Sequence, residues 1–185
     1  YEVLNQLVME SPAGARGLVF LPYLLGERSP RWNPDTSGSF LGIKMEHEKC
    51  DYVRAVLEGV AMNLDIILTA HRENVSINEL VLTGGGAKGD VVAQILADVL
   101  ELPLYRLDHV ESATSIAAAT IAGVGVGVFD DFSVVNQFVK REKVFEPNLA
   151  NREVYRKQKE LFEMGYQCLK QYYKLEANIS EEKQK

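Results

Sequence analysis

At 185 residues with 46% hydrophobic residues, the chain is long enough for one well-buried core and short for two, so a single globular unit is expected. A formal net charge of −6 and a pI near 5.2 exclude binding through clustered Lys and Arg that neutralise phosphates, and nucleic acid is not an expected partner. The longest weakly polar run, 116–129, falls short of the roughly 18 to 20 residues that cross a bilayer and is interrupted by Gly123, Gly125 and Gly127, so no membrane partner is expected either.

The chain opens on Tyr1 rather than Met, which reads as a fragment of something longer. Its two cysteines, Cys50 and Cys168, stand far apart without metal-like spacing, and a reducing cytoplasm is the simplest setting. The triplets Asn74-Val75-Ser76 and Asn178-Ile179-Ser180 fit the glycosylation sequon, but no secretory segment accompanies them.

In chain order, Val3, Leu4, Leu7 and Val8 keep helical spacing until Ser11-Pro12-Ala13-Gly14 stops the pattern, which predicts a short leading helix. The apolar stretch 17–25 reads as a strand, 26–38 as a polar loop and 39–44 as a second strand. Over 51–73, Val53, Val56, Leu57, Val60, Leu64, Ile67 and Leu68 form one stripe of a long helix. The segment 79–82 is a strand that runs into Thr83-Gly84-Gly85-Gly86, and Val91, Ile95, Leu96 and Val99 then mark another helix. A strand over 104–107 follows, and Ser112 is placed to cap an Ala-rich helix from Ala113 to about Val124. An amphipathic helix over 153–175 closes the fold, with a polar, frayed tail over 176–185. This order predicts an α/β domain, a sheet of mixed direction flanked by helices, because the first two strands are joined without a crossover helix.

The strongest chemical signal is the strand-to-helix turn Thr83-Gly84-Gly85-Gly86-Ala87-Lys88-Gly89-Asp90. Glycines there let a ligand approach the backbone, and the helix start offers N–H groups to an anion. The same pattern also fits a tight turn that merely requires positive φ. Gly84, Gly86 and Gly89 match the spacing of a dinucleotide-binding motif, with Asp108 at about the distance of a ribose-binding acid. Against that reading, such a motif follows the first strand of its fold, whereas here two strands and a long helix precede it. The phosphate-loop pattern fails, since Asp90 follows Gly89 where a Lys and a hydroxyl residue are needed.

Flanking residues favour another assignment. Gly38-Ser39-Phe40-Leu41-Gly42-Ile43, a spacer of seven, and Asp51-Tyr52-Val53-Arg54-Ala55-Val56-Leu57-Glu58 resemble a signature of the FGGY carbohydrate kinases, departing only at Tyr52. Phe20 to Pro30 with Trp32, Pro34 and Asp35 is similar to a loop of the xylulokinases in that family, and the likeness continues through 84–88, 94–98 and 117–119. It implies a ribonuclease H-like fold of the actin-like ATPase and sugar kinase type, with 1–175 as the C-terminal, nucleotide-binding domain. It also implies Mg²⁺-dependent transfer of the ATP γ-phosphate to a sugar hydroxyl, with D-xylulose favoured over gluconate, ribulose or glycerol. Matched by position, contact with ATP or ADP falls on Gly84, Gly85, Gly86, Ala87 and Asp90. The catalytic base and most sugar, metal and phosphate contacts are expected from an N-terminal kinase domain preceding this segment, so the segment alone is expected to be inactive. Self-association as a homodimer, or retention as a non-catalytic assembly module, is left open.

The remaining candidates read as structural. Glu27 and Arg28 suit a loop ion pair rather than a part in setting the cleft, and Trp32 a buried packing anchor rather than a sugar platform. His47, His71 and His109 have no partners at ligand spacing, and no metal site is expected. Asp51, Glu58 and Asp65 read as a solvated or domain-facing helix flank.

Overall fold

The computed structural model describes residues 2–108 and 112–182, so His109 lies outside the described residues. Helix α1 (Glu2–Glu10) leads through a 3-10 turn at Ala15–Gly17 to β1 (Val19–Leu21), and β2 (Ser39–Leu41) pairs antiparallel to it with Phe20 opposite Phe40. Then come α2 (Lys49–Arg72), β3 (Leu80–Leu82), a 3-10 turn at Gly85–Lys88, α3 (Asp90–Leu100) and β4 (Leu104–Leu107). Helices α4 (Ala113–Gly125) and α5 (Val135–Phe138), strand β5 (Arg141–Phe145) and helix α6 (Arg152–Glu182) complete the chain.

Direction is mixed, but not for the reason the sequence suggests. Strands β1 and β2 form a ribbon of their own, and the mixed sheet is β3-β4-β5, with β4 parallel to β3 and antiparallel to β5. Strand β5 escapes sequence reading because Arg141, Glu142 and Lys143 alternate with little apolar contrast; among its residues only Phe145 is buried. Being an outer strand, it needs one packed side chain rather than an apolar face.

One core joins these elements. Val8 of α1, Leu21 of β1, Met62 and Leu68 of α2, Leu96 and Val99 of α3, Leu104 of β4 and Phe145 of β5 pack with Tyr155, Phe162, Tyr166 and Tyr173 of α6. The α6 residues recur at intervals of four or seven and are at most 3% exposed, so one stripe of a long polar helix seals the domain. Glycine makes the tightest approach possible: a Cβ at Gly59 of α2 would fall inside van der Waals contact of the Phe20 carbonyl oxygen on β1.

Four expectations change. Ser112 sits at the start of α4 in helical backbone and makes no side-chain cap, so the Ala-rich helix starts without one. Helix α6 continues past Leu175 to Glu182. Trp32 is 76% exposed rather than buried. Asp51 and Glu58 are 0% and 1% exposed, so the supposed solvated flank is the inward face of α2; Asp65 is largely covered as well, in an ion pair with Lys159 at 2.9 Å.

Candidate functional site

Strand β3 ends at Leu82 and the chain bends sharply through Thr83 and Gly84 into the 3-10 turn and α3. Gly84 has φ +83° and ψ −176°, a conformation reserved in practice for glycine. An ideal Cβ at Gly84, Gly85 or Gly86 would meet nothing within 4 Å. Packing therefore does not demand glycine at Gly85 and Gly86, and the turn presents bare, exposed backbone. Gly89, in contrast, is buried where a Cβ would stand 3.3 Å from Asn5 Oδ1 and 3.4 Å from Val92, so it serves the fit of α3 against α1. Neither the 3-10 turn nor α3 has a side-chain cap at its N-terminus, which leaves helix N–H groups for solvent or an anion. Ala87 lies in the 3-10 turn beside them.

Asp90 opens α3 and points toward the sheet. Its carboxylate accepts 2.6 Å hydrogen bonds from Arg106 of β4 and Lys143 of β5, and Arg106 also bonds Glu142 at 3.1 Å. The Lys143 hydrogen bond, followed by that from Arg106, holds the Asp90 carboxyl below the usual carboxylate range. A negative charge on the first turn also suits the helix dipole. Thus the structure brings Gly84 to Asp90 into one short span, with Gly84, Gly85 and Gly86 open and the carboxylate engaged by two cations.

A second polar cluster escapes the sequence reading. After α1 the backbone takes positive φ at Gly14, Ala15, Arg16 and Gly17 in succession, and two of these are non-glycine residues that adopt such angles only when held. Glu58 supplies the hold: its Oε1 accepts from the Gly14 N–H at 2.9 Å, from Arg54 Nε at 2.7 Å and from Tyr155 Oη at 2.9 Å. Gln158 of α6 donates to the Gly14 carbonyl, and Arg54 Nη1 donates to the Ser11 carbonyl at 2.9 Å. Burial raises the Glu58 pKa against the opposing charge of Arg54, and burial likewise raises the Tyr155 phenol.

One helical turn pair earlier, Asp51 accepts from Ser11 Oγ at 2.6 Å and from the Glu48 N–H at 2.9 Å, closing a capping box at the start of α2. Burial works to raise its pKa, but these hydrogen bonds and the Arg16 charge prevail and lower it. The available signal was the company these carboxylates keep: Ala55, Gly59 and Ala61 are small residues on the same stretch of helix, a face built for close approach.

His47 bonds the Lys44 N–H at 2.9 Å, and Glu27, 4% exposed, accepts from the Arg31 N–H at 2.9 Å rather than pairing with Arg28. Among the described residues no group of three or more His, Cys, Asp or Glu is placed to hold a metal ion, and no helix is long and apolar enough to cross a membrane.

A mixed sheet under helices fits the actin-like ATPase fold of the sugar kinases. Residues 2–126 match the FGGY family of carbohydrate kinases, C-terminal domain. The chain belongs to that family and forms its C-terminal domain. It is 40% identical to a xylulose kinase of Staphylococcus epidermidis over 172 residues, covering 92% of this chain and 34% of the relative. It is 37% identical to a gluconokinase of Bacillus licheniformis, covering 96% of this chain and 35% of the relative. The ligand-bound xylulose kinase of Lactobacillus acidophilus superimposes with a TM-score of 0.80 at 34% identity, over 90% of this chain and 34% of that one. The chain thus spans about a third of the length of these relatives. Family membership also accounts for the dinucleotide-like glycine spacing as coincidence: β3 is preceded by the β1-β2 ribbon and α2, and Gly89 serves packing.

Proposed function

We propose that the protein to which this domain belongs is an ATP-dependent sugar kinase, and that Gly84, Gly85, Gly86, Ala87 and Asp90 line the nucleotide. The observation that carries this reading is the open space over Gly84 to Gly86, where backbone can lie flat against adenosine and the adjoining phosphate. The residues fit the ligand: uncapped helix N–H groups favour phosphate, and Asp90, fixed by Arg106 and Lys143, offers a held acceptor edge.

D-Xylulose is the favoured acceptor, on the similarity to xylulose kinases; the gluconokinase relative marks gluconate as the competing one. In this reading Mg²⁺ travels with the ATP phosphates and with an N-terminal domain, which also supplies the catalytic Asp. Phosphoryl transfer depends on positioning and on neutralising phosphate charge, so this domain by itself is inactive and works in the cytoplasm as half of a cleft.

Thermal shift tests the first half of the proposal. ATP or ADP raises the melting temperature of the domain, and NAD does not. Coupled ADP-release assays on the longer protein test the second half, with turnover on D-xylulose exceeding that on gluconate. Turnover by the 185-residue chain alone, or a response to NAD in place of ATP, overturns the reading.

A further inference from the structure

We propose that the pocket between the 26–38 loop and α6 is a binding site for a small sugar phosphate, separate from the nucleotide turn. The pocket has a volume of about 490 Å³ and is walled chiefly by Arg31, Trp32, Tyr166, Lys170, Gln171 and Lys174. None of these residues belongs to the Gly84 to Asp90 span. The volume suits a monosaccharide phosphate.

Three features of the wall point to this ligand. First, Arg31 is held in place rather than waving in solvent. Its side chain is 11% exposed and pairs with Glu163 at 2.6 Å, its guanidinium lies 3.8 Å from the centroid of the Tyr166 ring, and its Nη1 is buried without a hydrogen-bond partner. Secondly, Lys170 and Lys174 are exposed and have no carboxylate partner among the described residues, so the local balance is cationic in a chain of net charge −6. Two carboxylates are committed to Arg31, Glu163 at its guanidinium and Glu27 at its backbone N–H, which leaves Lys170, 5.3 Å from the centroid of the Tyr166 ring, and Lys174 to meet a phosphate.

Thirdly, Trp32 stands in solvent on strained backbone, with φ +50° and 76% exposure. Neither packing nor backbone preference puts an indole there. An exposed aromatic face suits the C–H face of a sugar ring, and the Gln171 amide can bond its hydroxyls.

Trp32 is the one tryptophan of the chain, so its emission reports this pocket and no other. Titration of the full chain with D-ribose 5-phosphate, excited where tyrosine does not absorb, gives a saturable change in Trp32 emission. Inorganic phosphate and D-ribose, run separately, bind at least about tenfold more weakly, since each supplies half of the contacts. The double variant Lys170→Ala, Lys174→Ala weakens ribose 5-phosphate by about tenfold or more; both side chains are exposed, and an unchanged melting curve verifies the fold. Lys174→Glu does the same with a single change. A Gly85→Leu variant leaves the titration as it was. A non-saturating signal, equal affinity for phosphate alone, or unchanged affinity in the lysine variants overturns the proposal, as does loss of the signal in Gly85→Leu.

Discussion

Tyr155 Oη donates a 2.9 Å hydrogen bond to Glu58 Oε1 across 97 positions of sequence, fastening α6 to α2 at the point where Glu58 also holds the left-handed Gly14. The carboxylate is buried with one oxygen saturated and the other, Oε2, unpartnered, so its stability rests on the Arg54 charge at 2.7 Å. Replacing Glu58 by Ala leaves Arg54 uncompensated and the Gly14 N–H unpaired, and is expected to destabilise the domain by about 3–5 kcal/mol. Tyr155→Phe removes two bonds, its own to Glu58 and the one it accepts from Arg54 Nη2 at 3.1 Å, but keeps the ring, and is expected to cost about 1–2 kcal/mol. Urea denaturation followed by circular dichroism checks both; equal losses in the two variants would show that packing, not the charge, governs the site.

Asp51 makes the same loop sensitive to acid. Its native pKa is lowered below the ordinary 3.8, so the unfolded chain takes up the proton first as pH falls. The stabilisation is therefore fully present above about pH 4 and is lost as pH drops through the native value. Asp51→Asn, which sets an amide against the Ser11 and Glu48 donors, is expected to cost about 1–3 kcal/mol near pH 7. The gap between variant and parent should close in melts run toward pH 3, and a gap that is constant with pH would rule out the carboxylate as its origin.

Gly59 sets two effects against each other. In a helix interior, Ala exceeds Gly by about 1 kcal/mol, yet a Cβ at this position meets the Phe20 backbone oxygen and further atoms of Phe20. Backbone cannot rotate aside as a side chain can, so β1 must shift and overpacking of about 1–3 kcal/mol follows. Gly59→Ala is expected to lower the melting temperature despite its better helix propensity. A variant that melts at or above the parent would mean that α2 and β1 can separate freely.

What the sequence disclosed depended on how loudly packing speaks in it. Helix α2 was legible because Val53, Val56, Leu57 and Leu64 repeat with helical period, and so was β3, whose apolar run stops at glycines. Strand β5 was not, since an outer strand with Arg141, Glu142 and Lys143 resembles a loop. Carboxylates misled for a related reason: residue type says that Asp51 and Glu58 prefer water, and only the fold supplies Ser11, Arg54 and Tyr155 as replacements for it. Trp32 misled in the opposite direction, because burial is what a lone aromatic ordinarily seeks. The glycine turn was found by pattern, whereas the ion pairs that orient Asp90 involve Lys143 on the very strand that sequence concealed.

That turn permits a clean separation of fold from binding. Gly84 alone needs positive φ, so Gly84→Ala is expected to cost about 1–3 kcal/mol of stability whatever its effect on ligand. Gly85 has ordinary φ and free space where a side chain would go. Gly85→Leu should accordingly shift stability by less than about 0.5 kcal/mol, while its side chain fills the volume proposed for adenosine. A loss of at least about tenfold in ADP affinity by calorimetry, 1.4 kcal/mol, with an unchanged melting curve is the expected outcome. Unaltered ADP binding in Gly85→Leu would place the nucleotide elsewhere. A melting curve depressed as far as that of Gly84→Ala would show that the turn serves packing, because an open bend tolerates a side chain and a closed one does not.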